Sequence, residues 1–140
     1  MAETIQGVRV VSWDPVNLRS YISVVAANTS YILHSLSTNK RGIVRKLHWI
    51  NRTGGNGFLR VGYLSLAAAF VQCSPDILMI NNIDDGYGED DIPPWGNSEE
   101  GGFVANTTAL TGTLGNIIIQ CSVGGAAPAD VMVSAEIEEK

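Results

Sequence analysis

The chain has 140 residues, of which 45% are apolar and only 16% charged, and its net charge is −5. That is one domain's length, too apolar for a disordered chain and too sparsely charged for a surface of ion pairs. No apolar run approaches the roughly 18 residues that span a bilayer. Met1-Ala2-Glu3-Thr4 also lacks the basic flank and apolar stretch of a signal peptide, so an unexported protein with no membrane partner is expected.

No window repeats apolar residues at the helical spacing i, i+3, i+4, i+7. Short alternating runs broken by turn residues recur instead, which predicts an all-β antiparallel fold. In chain order the candidate strands are 8–12, 21–26, 31–36, 43–50, 58–64, 67–72, 77–80, 102–105, 117–123 and 131–138. At this spacing, eight to ten short strands imply a two-sheet sandwich or jelly-roll-like barrel. Residues 1–30 read as an N-terminal extension carrying the first strands, and 31–140 as the sandwich.

In the run 43–50, Ile43, Leu47 and Trp49 share one face, interrupted by Arg45; Val44, Lys46, His48 and Ile50 form the other, mixed enough to be partly covered. Asn51-Arg52-Thr53-Gly54-Gly55-Asn56-Gly57 then reads as a glycine-rich hairpin loop. The piece 64–70 is the one helical candidate, and it is too short to assign. Residues 81–101 break the rhythm, with Pro93-Pro94-Trp95 and no alternation, and loops of that length are usually functional or mobile. In the run 117–123, Ile117, Ile119, Cys121 and Val123 oppose Asn116, Gln120 and Ser122, with Ile118 as the exception. The last strand alternates most clearly: Val131, Val133, Ala135 and Ile137 against Met132, Ser134, Glu136 and Glu138.

Charge is split along the chain. Residues 1–60 hold eight Lys/Arg and two acids; residues 61–140 hold one and twelve. The basic set Lys40, Arg41, Arg45, Lys46, Arg52 and Arg60 and the acidic set Asp84, Asp85, Glu89, Asp90, Asp91, Glu99 and Glu100 either neutralise each other inside one fold or face different partners. Nucleic acid is not expected as a partner, because the pI is about 4.8 and no reader motif accompanies the basic run.

Catalytic chemistry finds little purchase. His34 and His48 have no nearby nucleophile and there is no G-x-S-x-G elbow. Cys and His are not spaced for zinc, and the glycine loop lacks the Lys-Ser/Thr end of a phosphate loop. Cys73 and Cys121, in apolar surroundings, read as buried small hydrophobes rather than a bridge. The sequons at Asn28, Asn51 and Asn106 read as turns. Asp84, Asp85, Glu89, Asp90 and Asp91 have the carboxylates to wrap a hard cation such as calcium, or they form a solvated loop or an acidic contact surface. No cofactor is expected. Trp95, on its proline-stiffened loop, and Trp13 are either recognition anchors or caps on the core, and Trp49 is read as core.

From Tyr31 onward the order of features resembles small β-sandwich structural proteins of tailed-phage virions. The pieces are Tyr31-Ile32-Leu33, a turn at Asn39-Lys40-Arg41-Gly42, the long strand, Asn51-Arg52-Thr53-Gly54, and Phe58-Leu59-Arg60-Val61-Gly62. Leu114-Gly115-Asn116 and the closing Ala135-Glu136-Ile137 complete the pattern. The acidic segment 81–101 and the first 30 residues depart from it. The resemblance implies a capsid decoration (cement) protein, made in the host cytoplasm and carried on the virion. Such a protein would be a homo-oligomer, a trimer, bound to the major capsid protein. The contacts are expected from the first 30 residues and from 84–95, with Trp13, Arg45, Lys46, Asp84, Asp85, Asp90, Asp91 and Trp95 as interface residues. Other virion positions (head fibre, neck or tail) and a calcium- or carbohydrate-binding sandwich are the alternatives.

Overall fold

A computed structural model describes residues 17–37, 39–65, 67–104, 117–125 and 130–140. Among them form β1 (Asn17–Ser23), β2 (Tyr31–His34), β3 (Arg41–Asn51), β4 (Gly57–Leu64) and β5 (Phe70–Gln72). After these come β6 (Ile77–Met79), β7 (Asp84–Tyr87), a 3-10 turn (Glu89–Asp91), β8 (Phe103–Val104), β9 (Ile117–Cys121) and β10 (Val131–Glu139). The expected strand at 8–12 lies outside the described residues. The helical candidate is instead the end of β4 and a turn, in which Ser65 N–H donates to the Ala69 carbonyl at 2.8 Å.

Every described strand pairs antiparallel, in two five-stranded sheets packed face to face. One runs β1-β10-β3-β7, with β8 beside the other end of β3; the second runs β2-β9-β4-β5, with β6 beside the other end of β4. Taking β7 with β8 and β5 with β6 as two broken edge strands, early strands are matched with late ones: β1 with β10, β2 with β9, β3 with β7 and β8, β4 with β5 and β6. A long antiparallel pair rolled into two facing sheets has this order, which is that of a jelly roll. Leu18 to Ser23 of β1 lie opposite Ile137 to Met132. Residues 17–23, read above as part of an extension, are therefore an edge strand of the sandwich.

Alternation decides what goes inside. On β10, Val131, Val133, Ala135 and Ile137 are buried and the residues between them are not. Ile117, Ile119 and Cys121 of β9 meet Leu59 and Val61 of β4 and Leu47 and Trp49 of β3 in one core. At roughly 1.5–3 kcal/mol for each large apolar side chain fully buried, this layer is what holds the sheets together. Ile118 is buried as well, on the opposite face of β9.

Three features differ from the sequence pattern. On β3, Ile137 lies opposite Val44 and Glu136 opposite Lys46, so Arg45 is an extra residue, a bulge. Ahead of it Val44 joins the core and Ile43 points away; behind it Leu47 and Trp49 face inward again.

The Asn51 loop is not a hairpin. Since β3 and β4 lie in different sheets, it is an arch between them. Fully buried Asn51 directs it: Nδ2 donates to the carbonyls of Gly55 (2.9 Å) and Met79 (3.0 Å). Its Oδ1 accepts from the N–H (3.1 Å) and hydroxyl (2.8 Å) of Thr53.

Third, part of 81–101 is a strand. Asp84 to Tyr87 pair with Ile50 to Leu47. Asp-Asp-Gly-Tyr has little strand preference of its own, so the pairing with β3 imposes the conformation. Gly86 permits it, because a Cβ there would run into the Leu47 carbonyl.

Candidate functional site

The expected interface residues divide into those satisfied within the chain and those facing outward. Trp13 lies outside the described residues. Arg45, on its bulge, donates through Nε to Glu138 at 2.6 Å. Asp84 meets Arg52 at 2.6 Å, and Arg41 lies 3.7 Å from Glu100. The basic and acidic segments thus meet inside the fold at two points. Arg60 belongs with Asp76 at 2.9 Å, and its hydrogen bond, then that of Gln72, holds the Asp76 carboxyl below its ordinary value. Lys46 is different. It is exposed and shares Glu136 with Arg19, at 3.7 and 3.8 Å.

Asp85, Asp90 and Asp91 remain exposed. Asp85 accepts a bond from the Gly86 N–H (2.8 Å) and Asp91 one from the Gly88 N–H (3.3 Å). The side chain of Glu89 lies outside the description. Among the described residues no three carboxylate, His or Cys side chains converge as a cation would need, and Asp84 is already committed to Arg52. Trp95 turns inward and packs on the core together with Ile92 and Tyr87. The next residue, Gly96, bonds through its backbone to Cys73, whose thiol burial pushes up more than that bond lowers it. Burial pushes the Cys121 thiol up to about 12, and both cysteines are free.

One constellation was not legible in the sequence. Ser20 Oγ lies 2.8 Å from His34 Nδ1, and His34 Nε2 lies 2.6 Å from Glu139 Oε2. The His34 and Glu139 side chains are only 9% and 8% exposed. Burial raises the Glu139 carboxyl, but the hydrogen bonds from His34 and Ser37 outweigh it and leave the group below its ordinary value. The residue types are those of a hydrolase triad, with the ring nitrogens exchanged relative to serine proteases. Ser20 stands in the middle of β1, not on a sharp exposed turn. Mechanically the chain is a strut: β1 and β10 of one sheet are tied to β2 of the other. The one local signal is Glu139 itself, which continues the inward face of β10 beyond Ile137 and so requires a polar partner.

A groove of about 610 Å³ lies on the outer face of the β1-β10-β3 sheet. Strand register lays its lining out in rows: Arg19, Glu136 and Lys46; then Tyr21, Ser134 and His48; then Met132. Tyr21 is 72% exposed. The volume is in the range of ligand sites. A second exposed apolar group sits on the other sheet, where Phe58 lies opposite Leu78, with Ile80 following. Among the described residues no helix is long and apolar enough to cross a membrane.

No family model matches the chain, and no curated protein and no solved structure matches it.

Proposed function

We infer that the protein is a non-enzymatic structural subunit, a capsid decoration (cement) protein that binds the outer surface of a phage head as a trimer and stabilises it. The observation that carries this reading is the kind of chemistry left on the surface of a tightly packed sandwich. Tyr21, Phe58, Leu78 and Ile80 are exposed, and a proline-stiffened acidic turn is anchored by Trp95. Exposed aromatic and aliphatic groups on a rigid frame are contact chemistry, since they bury area with little loss of conformational freedom. The resemblance, from Tyr31 onward, of the order of sequence features and turns to small virion sandwich proteins supports the same reading and supplies the partner, the major capsid protein.

The test is the native mass by light scattering across a hundredfold dilution. The expected result is a stable mass of three times 15.0 kDa. A monomer throughout, with a melting temperature that calcium or a sugar raises, overturns the reading in favour of a ligand-binding sandwich. A hydrolytic reading has one observation in its favour, the Ser20–His34–Glu139 chain. Turnover of a chromogenic ester that Ser20→Ala abolishes would establish it.

A further inference from the structure

We propose that the groove on the outer face of the β1-β10-β3 sheet receives the acidic proline turn, residues 90–94, of a second copy of the chain. The proposal rests on the homo-oligomer reading and names the contact that builds it.

The groove and the turn match in two respects. At one end of the groove Arg19 and Lys46 share the single carboxylate of Glu136, which leaves one positive charge in excess on a molecule whose net charge is −5. Both cations are exposed and lie 3.7–3.8 Å from the partly buried Glu136, long ion pairs that leave Arg19 and Lys46 open to another carboxylate. The turn carries Asp90 and Asp91, both exposed and without an ion pair among the described residues. The second match is apolar. Tyr21 lines the groove in the row next to the cations and Met132 in the row beyond it, and Pro93 and Pro94 stand exposed next to the carboxylates. Aromatic-lined grooves take proline segments because the ligand is already stiff.

The turn is also prepared for docking before it meets a partner. The Gly88 N–H donates to Asp91, Trp95 packs on the core, and the Trp95 N–H donates to the Pro93 carbonyl at 2.7 Å. Little ordering remains to be done on binding. The groove spans β1, β10 and β3, and the turn follows β7, which pairs with β3 at Leu47 and His48, so groove and turn are different surfaces that adjoin along β3. A contact between two different surfaces of the subunit is head-to-tail, and it closes into a cyclic oligomer if the rotation per step allows.

Charge reversal on the full chain tests this, read as native mass by light scattering with a thermal melt to verify folding. Arg19→Glu with Lys46→Glu should weaken self-association by about tenfold or more, and Asp90→Lys with Asp91→Lys should do the same. The chain carrying all four substitutions should regain the wild-type mass, because its groove is then acidic and its turn basic. An oligomer that keeps its mass in both folded double variants overturns the groove contact while the homo-oligomer reading stands. A wild-type chain that is monomeric at every concentration overturns both. If one double variant fails to fold, the other decides.

Discussion

The sandwich has two open edges, and the molecule closes them with opposite chemistry. At the β1–β2 edge, Ser20, His34 and Glu139 span the sheets by hydrogen bonds. At the other edge the seal is aromatic. Tyr87 of β7 sits edge-on to Trp49, with ring centroids 5.4 Å apart, and Ile92 and Trp95 pack on the same core. The difference teaches which edge answers to solvent conditions. A charged bond network responds to pH, whereas burial of ring area does not. It also accounts for the acidic segment, whose first part is an edge strand and whose last part is a plug.

The largest effect is expected at the aromatic edge. Trp49→Ala should lower stability by about 3–5 kcal/mol, since it empties a large core volume and removes the partner of Tyr87. Measured by urea unfolding, the loss should be the same at pH 4 and pH 8. A pH-dependent loss would break the comparison between the edges. Trp95→Ala comes next, at about 2 kcal/mol, because the ring is only partly buried. It carries a second signature. With the plug loosened, Cys73 should react faster with a disulfide reagent while Cys121 stays protected, which peptide mapping of the labelled chain would read.

The two edges were unequally legible in the sequence, as were the parts of the fold. Inside and outside could be read on β10 because the strand alternates strictly and each residue's direction is a local property. Partners could not be read: β1 pairs with β10 across the length of the chain, and no pattern within either strand says so. For the same reason an arch at Asn51 looks like a hairpin, since glycine-rich loops serve both. The clue was the Asn itself, whose side chain can satisfy several buried backbone groups at once. Arg45 was visible as an interruption, but only the register of β10 makes it a bulge. The groove rows Arg19-Glu136-Lys46 and Tyr21-Ser134-His48 exist only once three strands are aligned, so Tyr21 and Arg19 carried no signal in the sequence. Trp95 was visible as a residue of two meanings, and only the packed sandwich shows its ring partly buried against the core.

The smallest effect belongs to the polar edge and reports on it most specifically. Glu139 is held below its ordinary value near 4.5 once folded, because the bonds from His34 and Ser37 favour its charged form more than burial opposes it. A carboxyl with a depressed folded value stabilises the fold fully above its unfolded value. That contribution is lost as pH falls through the lower folded value. The wild-type stability curve should therefore decline on its acid side in part through this residue. Glu139→Gln keeps the size and one acceptor oxygen but removes the charge. It should lower stability by about 1 kcal/mol at pH 7, in line with loss of a charge-assisted hydrogen bond, and the difference from wild type should shrink toward pH 3. Urea unfolding from pH 3 to pH 8 measures both. A constant difference across that range would mean that the strut works by shape alone, and the two edges would then not differ in kind.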